Sequence, residues 1–251
     1  VVLAAGGFEH NQEMREKYLP QPTDHHWSAG TKDNTGDAIL EGMRLGAKMH
    51  RLDEAWWCNT ISVPGEDIPR LSIMEKSYPG SIMVNPAGQR FSNESQNYMA
   101  FQQETFARHT EENPLNPSWH IFDANFRATY FVGPLYNSKF LPDWAVPKRY
   151  EEEGFFAKAD SIAELARKID VDAAGLEETV TKMNEFARNG EDLDFQRGDS
   201  AYDRYYGDPR VTPNPCLGPI NKAPYYAMKV DPGDFGTQGG MVTNADAQVM
   251  H

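Results

Sequence analysis

Apolar residues recur along the chain in two periods, and each period predicts its own kind of element. Val1-Val2-Leu3-Ala4-Ala5 is an unbroken apolar run that reads as a buried strand. Gly6-Gly7 behind it permits a sharp turn and a close approach of backbone to a ligand. After Thr35-Gly36-Asp37, the residues Ile39, Met43 and Ala47 recur at four-residue spacing and predict a helix, whose length Gly42 and Gly46 limit. Asp37 stands where its N-cap belongs. From about residue 60 to 80, Pro64, Gly65, Pro69, Pro79 and Gly80 break any period and mark a boundary. Ile82-Met83-Val84-Asn85 then reads as a strand, Pro86-Ala87-Gly88 as a turn and Gln89-Arg90-Phe91 as the returning strand.

Two helices follow. Ser161-Ile162-Ala163-Glu164 has the spacing of a capping box, and Ile162, Leu165, Ala166 and Ile169 form the apolar stripe behind it. Leu176, Val180, Met183, Phe186 and Ala187 line one face of the second, with Gly190 as its stop. Both stripes read as core. Residues 191–222, rich in Asp, Gly, Pro and Tyr, carry no period and read as a long ordered loop. Val242 to Val249 reads as a hairpin turning at Asn244-Ala245-Asp246. Strands and helices thus mix along the chain, an α+β or mixed α/β pattern without internal repeats.

Composition narrows the function. The chain has 251 residues, 39% of them hydrophobic, enough for a sizeable core. Its longest apolar run, Val1–Ala5, falls far short of the roughly 18 residues that would span a bilayer. Thirty-seven Asp and Glu against 24 Lys and Arg give a net charge of -13, which repels phosphate backbones and argues against a nucleic-acid partner. The two cysteines, Cys58 and Cys216, stand alone, which suits packed thiols in a reducing compartment. His25-His26 are adjacent rather than one helical turn apart and read as surface residues, so no metal is expected. No serine-hydrolase elbow or phosphate loop is present, and Asn93-Glu94-Ser95 matches a glycosylation acceptor by chance.

Val2-Leu3-Ala4-Ala5-Gly6-Gly7-Phe8, Thr35-Gly36-Asp37-Ala38, Ile82 through Glu94, and Gly236-Thr237-Gln238-Gly239-Gly240 together resemble, in order, FAD-dependent dehydrogenases of the fumarate reductase type. Fumarate reductases carry a proton-donating arginine four residues after the glutamate of this motif, and this sequence has Tyr98 there. Their relaying acid and arginine are also missing, the matching positions falling near Met74 and Ser77. Asp53-Glu54-Ala55-Trp56-Trp57, Asp194 through Gly198, Ser200 through Pro209 and Ala223 through Ala227 instead resemble 3-ketosteroid Δ1-dehydrogenases.

The resemblance implies FAD as cofactor, a 3-ketosteroid as substrate, a quinone-like electron acceptor and a cytoplasmic location, with peripheral membrane association left open. It makes Tyr98 the base that takes the C2 proton while the C1 hydrogen leaves as hydride. A free tyrosine ionises at about 10, so such a site has to favour the phenolate. Gly6, Gly7 and Asp37 are the implied flavin contacts. Trp56 and Trp57 are either core or the lining of an apolar steroid cleft, and Asn93 and Glu94 brace the turn that presents Tyr98. The implied division is a first FAD-binding segment at 1–59, a substrate (capping) domain at 60–222 and a returning FAD-binding segment at 223–251.

One departure stands out. The family's G-x-G-x-x-G turn does not occur here, nor do its assisting tyrosine and its ketone-binding tyrosine and glycine. The chain is therefore expected to be an internal portion of such an enzyme that binds flavin weakly by itself. The rival readings are a 3-ketosteroid Δ4-dehydrogenase, a fumarate reductase-type flavoprotein, and a non-catalytic module that retains the substrate-domain fold.

Overall fold

The computed structural model describes residues 1–251, and its first regular element is a helix rather than a strand. Helices α1 (Gln12–Tyr18) and α2 (Asp37–Arg44) precede strands β1 (Met49–His50), β2 (Ala55–Ile61), β3 (Arg70–Leu71) and β4 (Ser81–Val84). Helix α3 (Tyr98–Arg108), strand β5 (Ser118–Asp123), helices α4 (Ala124–Thr129) and α5 (Arg149–Glu152), and strand β6 (Phe156–Ala159) follow. Helices α6 (Ile162–Lys168), α7 (Ala173–Asn189) and α8 (Ala201–Tyr205) lead to strands β7 (Tyr225–Thr237) and β8 (Gly240–Met241).

One antiparallel sheet runs β3-β2-β7-β5-β4, with β6 also on β7. Its 13-residue strand β7 is the hub. Residues 225–230 of β7 pair with β5, from Asp123↔Tyr225 to Ser118↔Val230, and residues 231–237 pair with β2. The sheet is buried on both faces. Ile82, Val84, Trp119, Ile121 and Ala227 enter one core with the stripes of α6 and α7. Met83, Phe122, Tyr226, Met228 and Val230 alternate into the other, with Phe101 and Phe126. A third cluster joins Phe8, Met14, Leu19 and Ile39 to Ala55 and Trp57 of β2.

The α6 and α7 pattern takes its expected form: the Ser161 hydroxyl accepts from the Glu164 amide at 3.2 Å, and Gly190 closes α7 at φ 80. Four expectations change. Val1–Ala5 is no strand: Val1, Val2 and Leu3 are exposed and have no ladder partner, so an apolar run alone does not make one. Gln89–Phe91 does not return beside β4, because the Gln89 amide goes to the Asn85 side chain at 2.9 Å and the Arg90 side chain turns inward. The pairing edge is taken by β5 instead. The C-terminal hairpin forms without regular strands: the bridge Thr243↔Val249 and bonds from the Asn244 amide to the Gln248 carbonyl at 3.0 Å and from the Met250 amide to the Val242 carbonyl at 2.8 Å join its arms across a turn at Ala245-Asp246. Gly36, at φ 83, is the N-cap of α2, and Asp37 is its first helical residue. In addition, β2 runs through residue 60 and α8 forms inside the 191–222 loop. Cys58 and Cys216 are both free and buried, as packed thiols should be.

Candidate active site

The glycine-rich turns of the sequence converge. The Gly36 amide donates to the Gly7 carbonyl at 3.0 Å, and the Phe8 amide donates to Thr237 Oγ1 at 2.9 Å. Between them the buried carboxylate of Glu9 accepts from the Asn34 amide and from the Thr237 backbone at 3.3 Å. A Cβ on Gly7 would lie 2.1 Å from Thr237 Oγ1, and one on Gly6, already at φ +71, would lie 2.0 Å from Asn34 Oδ1. These two glycines are therefore required by the close seating of three chain segments on one another. Arg15, fully buried, fixes the same corner through Asp234 at 2.8 Å and the Glu9 carbonyl at 3.0 Å.

Beside this junction lies a mainly apolar cleft of about 860 Å³, walled by residues 1–6, Ala38, Ile39, Gly239, Gly240 and Met241. A Cβ on Gly240 would meet nothing within 4 Å, so the backbone there faces open space. A flat, largely apolar ring system fits such a wall. Of the three expected flavin contacts Gly6 lines the cleft, whereas Gly7 and Asp37 do not; Asp37 is exposed next to Ala38 of the cleft wall and accepts from Thr35 Oγ1 at 2.8 Å.

Tyr98 is the first residue of α3. The preceding Asn97 caps the helix, its Oδ1 accepting from the Met99 amide at 2.9 Å. The half-buried Tyr98 ring lies 6.0 Å from the Phe235 ring, which lies 5.9 Å from Trp56. Strand alternation separates the tryptophan pair: Trp56 is 47% exposed within this aromatic group, whereas Trp57 is 2% exposed and packs edge-on against Phe106 at 4.9 Å. Trp57 is a core residue. Phe235 was not among the expected site residues, and it links the two regions because Thr237 of the glycine junction follows two positions later.

A buried ionic network anchors the turn before Tyr98. The Glu94 carboxylate, fully enclosed, accepts from Arg90 at 2.7 and 2.8 Å and from Arg197 at 3.2 Å. Burial alone would raise this carboxyl, but the guanidiniums of Arg90 and Arg197 outweigh it and hold the group at about 2. Arg90 also grips Asp192 at 2.8 Å, and Arg197 donates to the Ser81 and Tyr78 carbonyls at 2.8 and 2.9 Å. Asn93 donates to Asp203 at 3.0 Å while its Oδ1 takes the Ser95 amide at 2.9 Å. Asn93 and Glu94 are thus engaged in bracing. Asp24, His25 and His26 bring three ligand-type atoms within 4.8 Å of one another, but the Asp24 carboxylate already accepts from the His26 amide at 2.8 Å and lies 2.7 Å from its ring nitrogen. No helix is long and apolar enough to cross a membrane.

The chain matches the FAD binding domain family model over residues 1–251. It is 41% identical to 3-oxosteroid 1-dehydrogenase of Mycobacterium tuberculosis (strain ATCC 25618 / H37Rv), covering 100% of this chain and 44% of that protein. It is 37% identical to 4-oxocyclohexanecarboxylate 2-dehydrogenase of Sinomonas cyclohexanicum, covering 100% of this chain and 42% of that protein. The crystal structure of 3-ketosteroid delta1-dehydrogenase from Sterolibacterium denitrificans in complex with 1,4-androstadiene-3,17-dione superposes with a TM-score of 0.94 at 47% identity, over 99% of this chain and 44% of that one. The chain therefore spans less than half the length of these relatives. Over its whole length the chain belongs to the FAD binding domain family and is related to the flavin-dependent 3-oxosteroid 1-dehydrogenases.

Proposed function

We propose that this chain is the substrate (capping) domain, with flanking pieces of the FAD-binding domain, of an enzyme that desaturates the C1–C2 bond of a 3-ketosteroid. The observation that carries this reading is the close superposition on the steroid-bound dehydrogenase at 47% identity. The aromatic group around Tyr98 supports it independently, since a steroid requires an apolar wall beside the base. Gly6 and Gly240 of the cleft wall, with Asp37 beside Ala38, would help hold FAD, which would supply the acceptor for the C1 hydride.

The chain's own residues perform the proton half of the reaction. The Tyr98 oxygen takes the C2 proton, which the neighbouring C3 ketone makes acidic. Its place at the start of α3 puts it at the positive end of the helix dipole. Trp56 and Phe235 exclude water from the apolar face of the substrate.

The test uses the whole flavoprotein that carries this chain, with flavin absorbance recorded without oxygen before and after a saturating 4-ene-3-ketosteroid. Prompt bleaching is expected, and Tyr98→Phe should slow it by about 10²–10⁴-fold while the steroid still binds. Bound flavin that stays oxidised would refute the reading. A Δ4-dehydrogenase would stay oxidised with this steroid, whose C4–C5 bond is already a double bond, and would be bleached instead by a 3-ketosteroid saturated at that bond. Bleaching by 4-oxocyclohexanecarboxylate and not by the steroid would shift the substrate to a single-ring ketone.

A further inference from the structure

We propose that Lys76 is a positioning residue that sets the orientation of the turn carrying Tyr98, an inference that rests on Tyr98 acting as the base. Lys76 lies in the short helical turn 75–77 and is 1% exposed. Its Nζ donates to the Glu94 carbonyl at 2.8 Å and to the Gln96 carbonyl at 2.8 Å, and it sits 5.0 Å from the centre of the Phe101 ring. The two carbonyls flank Ser95, and the next two residues are the cap Asn97 and Tyr98 itself. Phe101 is the fourth residue of α3. One ammonium therefore holds the backbone just before the base at two points and rests against the first turn of the helix that bears it.

Two holds at alternate carbonyls fix the rotation of a turn, which a single hydrogen bond would leave free. Lys76 forms no ion pair within 4.0 Å: the nearby Glu94 carboxylate is taken by Arg90 and Arg197. A buried cation without a carboxylate of its own is costly to keep, and burial pushes Lys76 down to about 8. A neutral side chain would fill the same space at lower cost. What the charge contributes is strength of donation, since charged donors hold carbonyls roughly twice as firmly as neutral ones. Small misplacements of a base cost rate far more than binding, so the effect belongs in the proton-transfer step.

The experiment compares the parent flavoprotein with Lys76→Gln and Lys76→Arg, measuring flavin content, steroid affinity by spectral perturbation and the anaerobic bleaching rate. Lys76→Gln should keep its flavin, bind steroid within about threefold of the parent and bleach more slowly by about tenfold or more. Lys76→Arg, which keeps the charge and the donors, should bleach within about threefold of the parent. Bleaching of Lys76→Gln at the parental rate would overturn the proposal, as would equal slowing in both variants. Loss of flavin from both variants would make Lys76 a residue of the fold and overturn it too. If the parent itself is not bleached, desaturation fails on its own, and backbone amide exchange at Ser95–Met99 decides the positioning. That exchange should quicken about tenfold in Lys76→Gln and stay unchanged in Lys76→Arg. Unchanged exchange in Lys76→Gln overturns the proposal.

Discussion

Replacing Glu94 by Gln would remove one charge from a network whose Glu94, Arg90 and Arg197 side chains are all within 4% of complete burial. The carboxyl sits at about 2 in the folded chain against 4.5 for an unperturbed glutamate. That difference corresponds to about 3 kcal/mol of stability at neutral pH. Because the folded value is depressed, the contribution is complete above pH 4.5 and disappears as pH falls toward 2. At pH 3 less than half of it should remain. Glu94→Gln should therefore be less stable than the parent by about 3 kcal/mol at pH 7, consistent with the cost of breaking a buried ion pair from one side. The gap should narrow steadily between pH 4.5 and 3. Urea unfolding followed by tryptophan fluorescence at a series of pH values measures both quantities. A gap that stays constant from pH 7 to pH 3, or a variant as stable as the parent, would refute the assignment of the network's stability to the Glu94 charge.

The adjacent tryptophans should behave oppositely. Trp57→Ala empties a core position and should cost about 3–5 kcal/mol in denaturant unfolding, whereas Trp56→Ala should leave stability within about 1 kcal/mol and weaken steroid binding in a titration. Equal stability losses would contradict the alternation of β2. Cys58, whose thiol burial pushes up to about 12, should resist a thiol-specific reagent at pH 8 until urea unfolds the chain; rapid labelling of the folded protein would count against its enclosure.

The helical part of the fold can be read from the sequence because each signal there is local. Ser161, Glu164 and Gly190 act on amides within a few residues of themselves, and the apolar stripes of α6 and α7 each face a single core. The central strands lack such signals. Every residue of β5 is buried, so Ser118–Asp123 shows no alternation between apolar and polar positions. Strand β7 contains Pro232 and Gly233, residues that argue against a strand, yet a Cβ on Gly233 would lie 2.2 Å from Thr60 Oγ1 and 2.3 Å from the Trp27 carbonyl. The glycine is needed because another segment crosses there, which no local pattern encodes. The same holds at the site. Tyr98 stands in a motif that can be recognised, whereas Phe235 and Lys76 reach its neighbourhood from distant stretches of chain, and nothing in their own flanking residues marks them. Val1–Ala5 carries the opposite lesson: its pattern is that of a strand, but a ladder needs a neighbour.

Strand β7 also has a mechanical consequence. Its thirteen residues join both halves of the sheet, with a register shift against β2 at residues 234–237, where Gly236 stands at φ 143. Phe235, beside the tyrosine, and Thr237, beside the glycine junction, are two residues apart in this strand, at most about 7 Å. The spacing between the aromatic group around Tyr98 and the glycine junction is thereby bounded by covalent bonds, not by how two bodies dock.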